Sequence, residues 1–184
     1  MNKILQATHF AAEKHSQQRR KNVEASPYIN HPIEVAFHLS SVGGITDEDI
    51  LIAALLHDTV EDTATDREEI ASLFGENVAS LVMECTDDRN LPKAERKRLQ
   101  IVNAPGKSPG AKMIKIADKT CNLRSILSDP PKDWPLSRQY EYFIWADMVV
   151  SGLIGQNTLL DDEVKRILKT GIQNLSPSAA DLHD

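Results

Sequence analysis

The sequence predicts an all-α fold, on three observations. Apolar residues recur every three or four positions through most of its 184 residues, sustained apolar/polar alternation is absent, and the proline and glycine breaks fall between the periodic stretches. At most one short β-hairpin is expected, near Val23 to Ile29.

The elements follow in chain order. Ile4 to His15 forms the first periodic stretch, and Ser26-Pro27 and His31-Pro32 separate it from a second over Pro32 to Val42, which Gly43-Gly44 ends. Thr46 and Asp47 supply an N-terminal cap, with Asp49 in an acidic first turn, for a helix expected over Asp47 to Glu61. Arg67 to Phe74, Asn77 to Cys85 and Ala94 to Val102 repeat the pattern up to Pro105-Gly106 and Pro109-Gly110. Beyond those breaks come Gly110 to Leu127, then Pro130-Pro131, Leu136 to Ile154 and Asp161 to Ile172. No linker interrupts the series, so residues 1–175 read as one domain, large enough to bury a proper core, and polar, non-periodic Ser176 to Asp184 as a frayed tail.

Composition narrows the function. The net charge of −6 argues against general nucleic-acid binding, which needs a surplus of Lys and Arg, and leaves small anionic ligands held by a local basic pocket. The N-terminus carries charges and histidines where a secretory signal would be apolar, and no segment reaches membrane-spanning length, so a cytoplasmic protein is expected. Cys85 and Cys121 lack a CxxC spacing and read as buried thiols without a disulfide.

The stretch AALLHDTVEDT, Ala53 to Thr63, carries the chemistry. Ile50 to Leu56 has no polar face and must run through the domain centre, yet His57, Asp58, Glu61 and Asp62 follow at once. On a continuous helix their three- and four-residue spacings gather all four on one patch. Three carboxylates there repel one another beside the negative helix end, and a divalent cation relieves that cost. A lone His-Asp pair is more often an ordinary solvated turn, but His31 ahead of a Pro-initiated helix and Asp118 after the apolar run of KMIKIADKTCNLR offer two further ligands. His31, His57, Asp58 and Asp118 form a mixed N/O set suited to one Mn²⁺, Fe²⁺ or Zn²⁺ ion, with positions left for water and substrate. Such an ion readies water for attack and polarises a phosphoryl oxygen.

These residues, with RRKNVEASPYINHP, FGENVASLVMECTDD and LPKAERKRLQ, resemble the HD-domain metal-dependent phosphohydrolases. Within them the chain is most similar to the small alarmone hydrolases, stand-alone relatives of the hydrolase half of Rel/SpoT enzymes, metazoan forms included. The resemblance runs from the first helix to Ile172. It implies a compact HD-domain bundle that removes the 3′-diphosphate of guanosine 3′,5′-bis(diphosphate), ppGpp, and of pppGpp, releasing pyrophosphate with Mn²⁺ preferred. His31, His57, Asp58 and Asp118 match the family's metal ligands, and Glu61 and Asp62 its catalytic acidic pair.

For the anionic nucleotide, Arg20 and Lys21 match family residues near the base and Asn122 the nucleotide-contacting Asn, four residues beyond Asp118. Trp134, Arg138 and Tyr142 lie on one helical stripe, and Arg138 and Tyr142 are expected contacts. Lys93, Arg96, Lys97 and Arg98 form a second basic run that reads equally as a solvated helix face. Thr120-Cys121 replaces the bulkier pair common in relatives, which bears on substrate preference. The alternatives are phosphohydrolysis of another nucleotide such as NADPH, by 2′-phosphate removal, or non-catalytic ppGpp sensing. Monomer and homodimer both stay open.

Overall fold

The computed structural model describes residues 2–176, and among them the regular structure is helical. The helices are α1 (Lys3–Lys14), α2 (Asn30–Ser41), α3 (Glu48–Leu56), α4 (Thr59–Asp62), α5 (Arg67–Phe74), α6 (Glu76–Cys85), α7 (Lys93–Asn103), α8 (Pro109–Ser128), α9 (Leu136–Ser151) and α10 (Thr158–Leu175). The expected hairpin reduces to one antiparallel bridge between Arg19 and Pro27. All of the expected tail after Ser176, with His183, lies outside the described residues. Among the described residues no helix is long and apolar enough to cross a membrane.

Two helices organise the rest. In α3 every residue from Ile52 to Leu56 is buried, and the helix packs against α1, α2, α6 and α8. A helix apolar on all sides can only be satisfied in this central position. Asp47 caps its N-terminus through the amides of Asp49 and Ile50, as its sequence context predicts. The long α8 starts on Pro109 behind the Ser108 cap and packs against α2, α3, α6, α9 and α10. Both cysteines are free and buried.

One expectation is corrected. The helix from Asp47 does not run on to Glu61; it stops at Leu56, and Thr59–Asp62 forms a separate turn. The His57 ring bonds through Nδ1 to the Ala54 carbonyl at 2.7 Å, and the Thr59 hydroxyl donates to the Leu56 carbonyl at 2.7 Å. Side chains thus take carbonyls that the amides of a continuing helix would use.

The contact between α9 and α10 yields a stability prediction. Gly171 in α10 lies so close to Phe143 that a Cβ there would sit 1.9 Å from Phe143 Cε1, and the Phe143 ring is fully buried. Overpacking of this kind costs about 3 kcal/mol, and alanine returns roughly 1 kcal/mol of helix propensity. Gly171→Ala is therefore expected to lower unfolding stability by about 2 kcal/mol, seen as a lower urea midpoint at unchanged slope.

Candidate active site

The three central segments meet at one point. His31 enters from the first turn of α2, His57 from the C-terminal end of α3, and Asp118 from the middle of α8. One ligand atom from each lies within 4.8 Å of the others, and all three residues are buried. Asp118 Oδ1 is 3.1 Å from His31 Nε2 and 3.8 Å from His57 Nε2. Asp58 joins from the turn after α3, with Oδ2 3.0 Å from His57 Nε2 and 3.9 Å from His31 Nε2. Asp58 thus reaches the imidazoles from the turn between α3 and α4, where the backbone at His57 and Asp58 keeps right-handed helical angles.

The donor set fits a divalent cation. His57 Nδ1 is tied to the Ala54 carbonyl, which aims Nε2 at the cluster, where it is buried without a well-formed hydrogen bond of its own. A buried orphan nitrogen beside two carboxylates is costly unless something occupies the space between them. Burial opposes charge on His57, but the Asp58 and Asp118 carboxylates prevail and raise its pKa to about 9. Burial likewise opposes charge on Asp58, yet the His57 contact holds it well below the usual carboxylate range. For Asp118 the same opposition is overcome first by Lys119, whose Nζ is 3.0 Å from Oδ2. Lys119 is itself buried, 5.0 Å from the Trp145 ring centre.

Beside this cluster opens a cavity of about 370 Å³, within the size range of small-ligand sites. Arg20, Lys21, Asp62, Asn122 and Tyr142 line it, together with Trp134 and Tyr28. Arg20 Nη2 donates to Ser125 Oγ at 3.2 Å, and Asn122 Nδ2 donates to Asp118 Oδ1 at 2.6 Å. Arg138 is not among the lining residues; it stacks on Trp134, 4.4 Å from the ring centre. Within the second basic run, Lys97 lies over Trp145 at 4.7 Å and Arg98 pairs with Glu95.

Glu61 and Asp62 diverge. Asp62 faces the cavity, where it accepts hydrogen bonds from Gln18 Nε2 at 2.7 Å and from Arg89. Glu61 turns toward the segment between α6 and α7, accepts from the Asp87 amide at 2.9 Å, and lies 3.7 Å from Arg96 Nη1. Burial raises the Glu61 pKa.

Four residues escaped the sequence reading. Tyr28 donates its hydroxyl to Asp58 Oδ2, and burial followed by the Asp58 charge pushes its pKa far up, so it stays a neutral donor. Gln18 holds Asp62 and meets His15 Nδ1 at 2.7 Å on its other side. Arg89 pairs with Asp62, and Lys119 neutralises Asp118. A Tyr three residues ahead of His31 was a readable signal for the first; nothing in the local pattern announced the others.

The family model described as HD domain matches residues 7–148. The guanosine-3′,5′-bis(diphosphate) 3′-pyrophosphohydrolase MESH1 of Xenopus tropicalis is 56% identical over 161 residues, 88% of this chain and 90% of its own length. The Homo sapiens protein of that name is 54% identical over 166 residues, 90% of this chain and 93% of its own. A solved structure, described as a metazoan ortholog of SpoT that hydrolyses ppGpp, superposes with a TM-score of 0.90 at 47% identity, covering 92% of this chain and 96% of that one.

Proposed function

The chain belongs to the HD-domain family, and from that premise we propose that it is a metal-dependent hydrolase of guanosine 3′,5′-bis(diphosphate), cleaving the 3′-diphosphate as pyrophosphate and leaving GDP. The observation that carries the reading is the meeting of His31 Nε2, His57 Nε2 and Asp118 Oδ1 beside a cavity lined by Arg20 and Lys21. Such a site joins a cation-binding corner to a basic room of nucleotide size.

His31, His57, Asp58 and Asp118 are the proposed ligands of one divalent ion, with Mn²⁺ the proposed metal ahead of Fe²⁺ or Zn²⁺. When bound, that ion supplies a readily deprotonated water and a polarised phosphoryl oxygen. Tyr28 and Lys119 orient the two carboxylate ligands by occupying Asp58 Oδ2 and Asp118 Oδ2. Asp62 faces the reacting ester from the cavity, and with Glu61 it forms the proposed acidic pair that orients the attacking water and accepts its proton. Arg20 and Lys21 hold the nucleotide from the base side, Asn122 contacts the sugar, and Tyr142 closes the cavity wall. Arg138 acts through Trp134, which it braces from outside the cavity. The protein works in the cytoplasm on a small-molecule substrate.

The test is removal of the metal. Protein stripped by a chelator is expected to release no pyrophosphate from ppGpp and to regain full turnover with Mn²⁺ at about one ion per chain. Offering ppGpp and NADPH in parallel, with pyrophosphate and orthophosphate measured separately, decides the substrate. Orthophosphate from NADPH with ppGpp left intact would overturn the alarmone assignment; a stable ppGpp complex without pyrophosphate would make the protein a sensor.

A further inference from the structure

Besides the residues assigned to the reaction, the cavity is lined by a second carboxylate, that of Asp129. Asp118, Asn122, Ser125 and Asp129 follow one another at intervals of four, three and four residues, so they form a single row along α8 and its C-terminal cap. Eleven residues at helical rise span about 16 Å. Asp118 marks the metal end, while Asn122, Ser125 and Asp129 line the cavity.

Asp129 is oriented rather than loose. Its Oδ2 accepts from Asn22 Nδ2 at 2.8 Å, and Asn22 Oδ1 in turn accepts from the Ser26 amide at 3.1 Å. Asp129 Oδ1 has no donor among the described residues. A free carboxylate is a poor neighbour for phosphate, and here it stands at the end of the row farthest from the metal cluster. Trp134 lines the same cavity and offers a flat face for a purine.

We propose that Asp129 is a specificity-determining residue that reads the Watson–Crick edge of the base, so that the enzyme selects guanine over adenine. Guanine presents N1–H and the 2-amino group side by side, two donors that a carboxylate accepts together, here on the free Oδ1 and on the second lone pair of Oδ2 beside the Asn22 amide. Adenine places a lone pair at N1, which faces the carboxylate unfavourably. Sites built around such pairing reject an analogue lacking the donors far more strongly than apolar pockets do. The inference rests on the proposed ppGpp chemistry for the direction in which the nucleotide lies.

The experiment uses the Mn²⁺-loaded full chain with ppGpp, its inosine analogue and adenosine 3′,5′-bis(diphosphate). Wild type is expected to favour guanosine over adenosine by about 100-fold in kcat/KM, with inosine between them because it keeps one donor. Asp129→Ala and the isosteric Asp129→Asn should each lose most of the guanosine rate while the adenosine rate changes little. Binding of GDP against ADP, measured by calorimetry, reads the same preference without turnover. Equal losses on both bases, or a guanine preference that survives both substitutions, overturns the role of Asp129. Failure of wild type to cleave ppGpp overturns the proposed activity instead, and the GDP/ADP ratio still decides whether Asp129 reads the base.

Discussion

Asp118→Asn is expected to abolish stoichiometric Mn²⁺ binding and to lower kcat/KM for ppGpp by about 10³-fold or more, since even residues behind a metal ligand are worth 10–100-fold. The substitution keeps the size of the side chain and an oxygen at the Oδ1 position, 3.1 Å from His31 Nε2, but replaces an anionic ligand with a weak neutral one. It also leaves the Lys119 ammonium, 3.0 Å from Asp118 Oδ2 and buried with it, without its counter-charge. Breaking one side of a buried pair costs about 3–5 kcal/mol, so some instability is expected from the single variant. The double variant Asp118→Asn/Lys119→Met separates the two effects. Its thermal midpoint should recover toward wild type because neither charge remains, whereas metal content, read by elemental analysis, and activity should stay lost. A stable double variant that still carries one Mn²⁺ per chain would remove Asp118 from the proposed ligand set.

How much of this was legible in advance depends on the range of the interactions. Local ones were readable. The Asp47 cap, the Pro109 start of α8 and the all-apolar face of α3 are written within a few residues of where they act, and the helices over Arg67–Phe74 and Leu136–Ser151 follow from period alone. The break at His57 was not readable, because Thr59 and Val60 would continue a helix as readily as end one. It is decided by side-chain bonds to the Ala54 and Leu56 carbonyls, which depend on His57 being aimed into the core. Lys119 fails for the complementary reason: a lysine beside an aspartate in a helix reads as solvent-facing, and only the packing of α9, which brings Trp145 over it, buries the charge. The expected stripe of Trp134, Arg138 and Tyr142 does not form as one, because α9 begins only at Leu136 and Trp134 precedes it; Trp134 and Tyr142 line the cavity, while Arg138 stacks on Trp134 without lining it. The residues expected to bind metal were visible as types at intervals, since few other roles bring two imidazoles and two carboxylates behind apolar helices.

The acidic pair gives the second large effect. Asp62→Asn and Glu61→Gln are each expected to lower kcat by about 10²–10⁴-fold, the usual worth of a positioned acid or base, with Mn²⁺ still bound and KM little changed. The two side chains do not face the same way, which makes their effects separable. Asp62 is held by Gln18 on Oδ2 and by Arg89 on Oδ1, so the asparagine keeps its place but cannot accept from both donors. Glu61 is anchored to the Asp87 amide and has its pKa raised by burial, so the group that must be deprotonated to accept a proton gives up its charge at a higher pH than an exposed glutamate. If Glu61 is the acceptor, kcat falls as pH drops through that raised pKa, and the acid limb disappears in Glu61→Gln while it persists in Asp62→Asn. Because both residues serve one proton transfer, the double variant should be little slower than the slower single variant. Fully multiplicative losses would mean that Glu61 and Asp62 act on separate steps, and an acid limb unchanged in Glu61→Gln would transfer the proton-accepting role to Asp62.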